Sequence, residues 1–238
     1  MKIQDAVVLV TGGNRGIGRA LVEEALARGA RKVYAAARDP RTVSTPGAVP
    51  LRLDVTDPET VAAAAERASD VTILINNAGV DLHVDDLLTH DLDTVRREFE
   101  VNLFGPLHLM RAFVPVIAGN GGGHVQNVNS ALGLLVPPGF GSYTAYASTK
   151  AALLTVTNGL RNTLPARGVE LSSLHMGFTD TDLLRDPSVQ KGPVSEVARK
   201  ALDGIEAGAA EILADAVSVQ VKAAAALDPG QLFPQTAA

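Results

Sequence analysis

The sequence AVVLVTGGNRGIG, residues 6–18, joins an apolar run to a turn that contains four glycines. The apolar residues 6–10 predict a strand that is covered on both faces of a sheet. Glycines let a backbone turn sharply and approach a diphosphate, and the N-terminus of a following helix offers free N–H groups and a positive dipole end. A strand, a glycine turn and a helix therefore favour a phosphate-binding unit, although a tight turn without a ligand has the same pattern.

The rest of the chain repeats the alternation of strand and helix. Its 238 residues suit one α/β domain, residues 1–238, with a sizeable core. Regular β–α alternation predicts a doubly wound parallel sheet of about seven strands with helices on both faces. Further strands are predicted at 32–37, 49–54, 71–77, 124–129, 169–174 and 210–214, and helices at 16–28, 58–68, 92–118, 143–164, 194–207 and 215–226.

Composition and charge narrow the classes of partner. The formal net charge is −5, whereas nucleic-acid-binding domains usually carry a basic face. The chain has no cysteine, which excludes disulfides and Cys-built metal sites, and its five histidines show no metal-ligand spacing. No stretch approaches the roughly 20 apolar residues of a membrane span, and the N-terminus lacks a secretory h-region. We expect a cytoplasmic protein with no nucleic-acid, membrane or metal partner.

Three motifs occur in an order typical of one enzyme family. TGGNRGIG (11–18) follows the first predicted strand, NNAG (76–79) follows the fourth, and YASTK (146–150) opens a helix after the fifth. Residues 5–185 therefore resemble the short-chain dehydrogenase/reductase family. The resemblance implies a Rossmann fold, a nicotinamide cofactor, and reversible hydride transfer between that cofactor and a carbonyl or alcohol.

Tyr146 and Lys150 form the predicted catalytic pair. Their i, i+4 spacing places both side chains on one helix face. A free tyrosine has a pKa of about 10, and a nearby ammonium is expected to lower it, which suits a general acid/base at neutral pH. The resemblance adds Ser130, which would stabilise the carbonyl oxygen, and Asn102, which would help to hold a relay water. Packing at a helix kink is the alternative role for Asn102.

The serine assignment has rivals. Ser142 and Ser148 also lie near the tyrosine, but one is in a loop and the other faces elsewhere on the helix. Family members often have serine where this chain has Asn129. We therefore assign Asn129 no catalytic role and expect it to bond to backbone at the strand end.

Two arginines favour NADP(H) over NAD(H). Dinucleotide folds use an acidic residue about 20 positions after the glycines for the NAD ribose, and arginine for the 2′-phosphate of NADP. Ala37 occupies the usual acidic position, Arg38 follows it, and Arg15 lies in the glycine turn. The resemblance implies further cofactor contacts at Gly12, Asn14, Gly16, Ile17, Gly18, Asp54, Val55, Asn77, Ala78, Gly79, Tyr146, Lys150, Gly177, Thr179 and Thr181.

The substrate pocket is expected to come from residues 131–140 and 178–186. Its predicted walls are apolar, which favours a small lipophilic ketone or aldehyde. They comprise Leu132, Leu134, Leu135, Val136, Phe140 and Phe178. Met176 stands where the family usually has proline, and this leaves the rigidity of the neighbouring turn open.

The sequence thus predicts an NADPH-dependent carbonyl reductase. A non-catalytic NADP(H)-binding sensor or scaffold is one alternative. A 3-oxoacyl carrier-protein reductase is another, disfavoured by the acidic character of residues 180–186. The resemblance also implies a homodimer formed through helices 92–118 and 143–164, with a tetramer as the alternative.

Overall fold

A computed structural model describes residues 1–181 and 191–233. Within these residues seven strands form one sheet in the order β3-β2-β1-β4-β5-β6-β7, with every neighbouring pair parallel. The predicted doubly wound α/β sheet is confirmed, and its strand order is that of the Rossmann fold. The strands are β1 (Val7–Thr11), β2 (Lys32–Ala37), β3 (Val49–Arg52), β4 (Ile73–Asn76), β5 (Gly123–Val128), β6 (Val169–His175) and β7 (Glu211–Leu213).

Helices connect and cover the strands. They are α1 (Gly16–Ala27), α2 (Pro58–Arg67), α3 (Leu92–Phe99), α4 (Gly105–Gly119), α5 (Thr144–Leu160), α6 (Val194–Ala207), α7 (Ala216–Ala224) and α8 (Pro229–Leu232). Two predicted helices differ from the structure. The single helix predicted at 92–118 contains a π-helical segment, Glu100–Phe104, and the helix predicted at 143–164 ends at Leu160.

The two faces of the sheet carry separate apolar layers. In β1, Val8 and Val10 pack towards the layer that includes residues of α1 and α6, while Val7 and Leu9 pack towards the layer that includes residues of α2 and α4. All five residues of β1 are buried. The continuous apolar run of this strand therefore reflects a position in the middle of the sheet with helices on both sides.

The helical stretch Leu92–Gly119 is more apolar than we expected from the sequence. By length and composition it could cross a membrane. In this fold its residues Leu109, Phe113 and Ile117 are fully buried in the layer that covers the sheet. Burial in a protein core thus accounts for the apolar character of this helix.

The sheet topology determines where a ligand site can form. Successive connections from β1 run to β2 on one side and, after β3, to β4 on the other side, so the order reverses at β1. Ligands of open α/β sheets bind beyond the carboxyl ends of the strands at such a switch point. The motifs 11–18 and 76–79 follow β1 and β4, and they meet at this position.

Candidate active site

The glycine turn after β1 has a backbone that needs glycine at defined positions. Gly12 and Gly16 have φ angles of 65° and 53°, in the left-handed region. A Cβ atom at Gly18 would lie only 2.1 Å from the carbonyl oxygen of Gly12. Helix α1 begins directly after the turn, and its N-cap residue Arg15 makes no side-chain cap. The turn therefore presents an N-terminus without a side-chain cap at the switch point of the sheet.

Thr11 joins the first motif to the second. Its Oγ1 accepts hydrogen bonds from the N–H groups of Asn77 and Ala78, both at 2.9 Å. In return, Nδ2 of Asn77 donates to the backbone oxygen of Thr11 at 2.8 Å. A Cβ on Gly12 would come within 3.3 Å of Asn77 and of Ala78. The structure thus brings together predicted cofactor contacts from both motifs, and it adds Thr11, whose place in the TGGNRGIG motif was the available signal.

The predicted catalytic residues lie together at the carboxyl end of β5. Ser130 follows the strand and Tyr146 lies in the first turn of α5, and both side chains line one cavity. One turn later, Nζ of Lys150 lies 5.7 Å from the centre of the Tyr146 ring and donates to the backbone oxygen of Val128 at 3.0 Å. Gly133 packs against Lys150 so closely that a Cβ added to Gly133 would lie 2.9 Å from Cβ of Lys150. This close contact holds the turn after Ser130 against α5.

The electrostatics of the pair differ from the prediction. Burial raises the pKa of Tyr146 well above its usual value; the nearby Ser130 hydroxyl opposes this, and the negative charges of Asp81 and Glu98 add to it. Burial also lowers the pKa of Lys150 to about 8. The expected lowering of the tyrosine pKa by the ammonium is therefore wrong for the protein alone, because loss of solvent has the larger effect. Tyr146 is held as a neutral phenol, the form that can donate a proton.

Asn102 lies in the π-helical segment beside the pair. Its Oδ1 accepts from the N–H of Val80 at 2.9 Å, and its Nδ2 donates to the oxygen of Val80 at 2.8 Å and to Oγ1 of Thr149 at 3.1 Å. A Cβ on Gly79 would lie 3.2 Å from Oδ1 of Asn102 and 3.5 Å from Nζ of Lys150. The side chain thus packs at a helix irregularity and joins it to the loop after NNAG. Its role towards a relay water stays a prediction.

The other candidates near Ser130 are placed differently. Ser148 donates its hydroxyl to the oxygen of Thr144, and Ser142 is exposed. Asn129 corrects an expectation, because within the described residues neither polar atom of its buried amide has a hydrogen-bond partner. The nearby backbone groups already pair with each other between the two strands: the N–H of Asn129 itself donates to the oxygen of Leu174 at 2.8 Å. The expected bond from the Asn129 side chain to backbone is therefore not formed in the described part of the chain.

The two arginines predicted to hold a phosphate lie at the carboxyl ends of neighbouring strands. Thr11 pairs with Ala36 in the β1–β2 ladder, so the turn with Arg15 lies beside the end of β2, which Arg38 follows. Both arginine side chains belong to exposed residues. The carboxylate of Asp39 is paired with Arg41 at 2.9 Å and caps a short helical turn. This carboxylate is therefore already engaged by a neighbouring guanidinium.

Three more predicted contacts surround this end. Nδ2 of Asn14 donates to Oγ1 of Thr42 at 3.0 Å and ties the glycine turn to the loop after β2. Oδ1 of Asp54 accepts from the N–H of Thr56 at 3.0 Å. Val55 is buried against Gly105, where a Cβ would come 2.7 Å from its Cγ2. The side chains of Asn14, Asp54 and Val55 are thus fixed by protein contacts.

A cavity of about 180 Å³ opens beside Ser130 and Tyr146. Three aromatic rings, of Phe140, Tyr143 and Phe178, form one wall, with centres 5.8 to 6.3 Å apart. The described residues that line it are Ile17, Asp81, Ser130, Ala131, Leu132, Pro137, Phe140, Tyr143, Tyr146, Met176, Gly177, Phe178, Thr179, Thr181, Val217 and Val221. The apolar character predicted for the pocket is therefore present.

The lining differs from the prediction in detail. Leu134, Leu135 and Val136 were expected in the wall, but they are not among the lining residues. Val217 and Val221 of α7 take part instead, and the sequence offered no signal for them because they lie about 70 residues beyond Tyr146 in the chain. Residues 182–186, the remainder of the second predicted wall, lie outside the described residues.

The turn after β6 is anchored although proline is replaced. The N–H of Gly177 donates to Oδ2 of Asp215 at 2.8 Å, and Asp215 is the N-cap of α7. A Cβ on Gly177 would lie 2.7 Å from Val217. Farther along, the methyl group of Thr181 would lie 3.3 Å from a Cβ on Gly16. This segment therefore reaches the glycine turn and closes the site from the side of α7.

A Rossmann-type sheet with a glycine turn and a Ser–Tyr–Lys group defines the class of dinucleotide-dependent oxidoreductases. The model of the short-chain dehydrogenase family matches residues 6–191. The chain belongs to this family. Among the residues that the structure describes, no group of three or more His, Cys, Asp or Glu residues is arranged to hold a metal ion.

Curated relatives include reductases and a steroid dehydrogenase. The 3-oxoacyl-[acyl-carrier-protein] reductase FabG of Escherichia coli (strain K12) is 30% identical over 195 residues, which cover 78% of each chain. Estradiol 17-beta-dehydrogenase 11 of Mus musculus is 32% identical over 217 residues, covering 80% of this chain and 67% of that protein. The relatives thus share the family but differ in substrate.

Solved structures of the same family superpose on most of the chain. A short-chain dehydrogenase from Burkholderia cenocepacia J2315 in complex with NADP is 40% identical, with a TM-score of 0.90, covering 98% of this chain and 97% of that one. A short-chain dehydrogenase/reductase from Burkholderia phymatum in complex with NAD is 26% identical, with a TM-score of 0.81 and 93% coverage of each chain. The fold is therefore shared by members crystallised with either dinucleotide.

Proposed function

We propose that the protein is an NADP(H)-dependent carbonyl reductase that reduces a small lipophilic ketone or aldehyde to an alcohol and catalyses the reverse oxidation. The observation that carries this proposal is that Ser130 and Tyr146 lie together in the wall of an apolar cavity. A carbonyl oxygen placed there can meet two hydroxyl groups while its carbon faces the glycine-turn side of the cavity, where Ile17 and Thr181 lie.

The residues at the switch point fit a dinucleotide. The φ angles of Gly12 and Gly16 and the close approach at Gly18 keep the turn free of side chains, and α1 begins there without a side-chain cap. Gly79 leaves open the space beside Lys150 that a Cβ would fill. Such a surface suits a diphosphate and a ribose. A nicotinamide dinucleotide, when bound, supplies or accepts the hydride.

Tyr146 provides the proton. In reduction, its neutral phenol donates a proton to the carbonyl oxygen as the carbon receives hydride, and in oxidation it accepts the proton of the alcohol. Ser130 donates a hydrogen bond to the oxygen on which negative charge develops. The ammonium of Lys150, with its pKa lowered to about 8, stabilises the phenolate and can exchange protons near neutral pH.

Charge at the far end supports NADP(H). Arg15 and Arg38 lie at the ends of neighbouring elements, and Ala37 leaves no carboxylate at the end of β2 to repel a phosphate. The carboxylate of Asp39 pairs with Arg41 instead. Guanidinium groups bind phosphate by charge-assisted hydrogen bonds that NAD(H), which lacks the 2′-phosphate, does not use.

A 3-oxoacyl carrier-protein reductase is the second candidate. It is favoured by the 30% identity with the FabG reductase of Escherichia coli. Against it, such a reductase is expected to carry a basic docking patch beside the site, whereas Asp180 beside the cavity is exposed and acidic. The apolar cavity with three aromatic rings suits a free lipophilic carbonyl better.

A substrate panel tests the proposal. Purified protein is mixed with NADPH or NADH and with aryl ketones, aliphatic aldehydes and acetoacetyl thioesters, and cofactor oxidation is followed by absorbance. We expect NADPH-dependent turnover of neutral aryl ketones or aldehydes at a higher kcat/KM than of the thioesters. A preference for thioesters would establish the carrier-protein reductase. No turnover of any carbonyl, with tight binding of NADPH, would establish a sensor and overturn the proposal.

We also propose a cytoplasmic homodimer, with a tetramer as the alternative. Leu92 and Phe104, on the helical stretch that the resemblance places in the interface, are large apolar side chains exposed in the isolated chain. Light scattering coupled to size-exclusion chromatography measures the mass directly. A monomer at micromolar concentration would contradict this assembly.

A further inference from the structure

The loop that follows NNAG is fixed by side chains of the helix it passes. Asn102 binds both the N–H and the oxygen of Val80. The N–H of Leu82 donates to Oε1 of the fully buried Glu98 at 2.6 Å. The two neighbours of Asp81 are therefore anchored to α3 and to the π-helical segment, and Asp81 lies between two fixed points.

The carboxylate of Asp81 is itself oriented. Its Oδ1 accepts from the N–H of His83 at 2.9 Å, and its Oδ2 lies 3.6 Å from Nδ1 of the same residue. His83 has a φ angle of 58°, a left-handed conformation that few non-glycine residues adopt. This is the geometry of a turn closed by an aspartate side chain two residues earlier. Only 10% of the side chain of Asp81 is exposed.

Asp81 differs from everything else in the cavity wall. Of the lining residues in the described parts of the chain, it is the one charged side chain; the others are apolar or carry neutral hydroxyl groups. Its negative charge also acts on Tyr146, because it contributes to the raised pKa of that phenol. A charge in surroundings of low dielectric interacts strongly with any charged group of a ligand. The established fold and the proton transfer by Tyr146 require no carboxylate at this point.

We propose that Asp81 is a specificity-determining residue that favours carbonyl substrates carrying a hydroxyl group or a protonated amine and disfavours substrates carrying a carboxylate. The inference rests on the proposed carbonyl reduction and names the substrate class of that same cavity. A donor group on the substrate gives the carboxylate a hydrogen-bond partner in the closed site. A substrate carboxylate would place two like charges in one small apolar cavity, and an entirely apolar substrate would leave the charge of Asp81 without a new partner.

The test uses three acetophenones of similar size that carry an aminomethyl, an ethyl or a carboxylate group at the meta or para ring position. kcat/KM with NADPH is measured for each at one pH. For the unchanged protein we expect the order aminomethyl, ethyl, carboxylate, with at least tenfold between the first and the last. Asp81→Asn keeps the shape and the acceptor oxygen for His83 but removes the charge. It should reduce that ratio at least tenfold.

Two further variants make the result specific. Asp85→Asn removes an exposed carboxylate from the same loop that does not line the cavity, and it should leave the ratio within twofold. Asp81→Ser, whose hydroxyl can also close the turn, replaces the asparagine variant if that one fails to fold, as judged by circular dichroism. The ratio should fall in the same way.

The outcomes separate the two proposals. If the ethyl ketone is reduced but Asp81→Asn or Asp81→Ser keeps the ratio of the unchanged protein, the assignment of Asp81 is overturned while carbonyl reduction stands. If Asp85→Asn lowers the ratio as much as the Asp81 variants do, general loop charge is responsible and the assignment is also overturned. If the unchanged protein reduces no ketone, both proposals fail together.

Discussion

The two ends of the site are built in opposite ways. At the proposed carbonyl end, Ser130 and Lys150 are buried, Tyr146 lines the cavity beside them, and Nζ of Lys150 is held by the backbone oxygen of Val128. At the phosphate end, formed by Arg15 and Arg38, both residues are exposed. Buried groups act through fixed geometry and shifted pKa values, whereas exposed charges act through attraction that solvent weakens. The difference is the reason for our proposal that the chemistry depends on the first end and the choice of dinucleotide on the second.

The largest effect is expected at the carbonyl end. Tyr146→Phe removes the proton donor but leaves the ring in place, and kcat should fall roughly 1,000-fold because general acid catalysis is lost. The dissociation constant of NADPH, measured by fluorescence, should change little. Tyr34→Phe, which alters a tyrosine bonded to Asp70 outside the site, is the matched control and should retain full turnover. Substantial activity in Tyr146→Phe would show that another group donates the proton.

A smaller effect concerns acid stability beneath the carbonyl end. His175 is fully buried; its Nδ1 lies 3.2 Å from the backbone oxygen of Ser130, and burial lowers its pKa to about 4. An unfolded chain protonates histidine near pH 6.5, so the unfolded state binds more protons between these values and stability falls as pH falls from 6.5 towards 4. The loss from one such histidine is roughly 3 kcal/mol. Urea unfolding at pH 7 and at pH 4.5 measures it.

The variant His175→Gln isolates this contribution. Between pH 7 and pH 4.5 the free energy of unfolding of this variant should change less than that of the unchanged protein. This holds even if the two proteins differ in stability at pH 7. His124, also buried with a pKa lowered to about 4, should account for a further share of the dependence that remains. An unchanged dependence in His175→Gln and in His124→Gln would show that carboxylates alone govern the acid response.

The smallest effect is expected at the phosphate end. Arg38→Ala should raise KM for NADPH about tenfold, equivalent to about 1.4 kcal/mol, and leave KM for NADH within twofold. Arg31→Ala is the matched control, because Arg31 is also exposed but precedes β2 at the opposite edge of the sheet. High salt should reduce the difference between the two cofactors. Equal effects of Arg38→Ala on both dinucleotides would remove the argument for NADP(H).

Local patterns of the chain were enough for most of the architecture. Each predicted strand occurs within two residues at either end, because a buried strand needs a continuous apolar run and glycine or polar residues after it. Position 18 requires glycine because a Cβ there would collide with the backbone oxygen of Gly12, a residue of the same motif. The predicted helix boundaries agreed less well with the structure than the predicted strand boundaries. The helix kink considered for Asn102 is a π-helical segment, Glu100–Phe104, in which Asn102 contacts Val80 and Thr149.

Expectations that depended on distant neighbours were less successful. Asn129 was expected to find a backbone partner, but pairing of β5 with β6 uses the nearby groups. Tyr146 was expected to have a lowered pKa, but burial raises the pKa of this phenol. Asp81 had no motif to mark it. In all three cases the decisive quantity is the surroundings of a side chain, which a spacing in the sequence does not contain.

The sequence by itself determined the fold class and the candidate pair Tyr146 and Lys150, because strand periodicity, glycine turns and an i, i+4 pair are properties of neighbouring residues. Ser130 and Asn102 became candidates only through the resemblance to the family. Only the tertiary structure decided the composition of the cavity and the protonation of its groups. Val217 of α7, Asp81 of the loop after β4 and Phe140 before α5 meet in one wall although they are far apart along the chain. Packing of these elements on the sheet removes water from Tyr146 and Lys150, and that loss of solvent sets their pKa values.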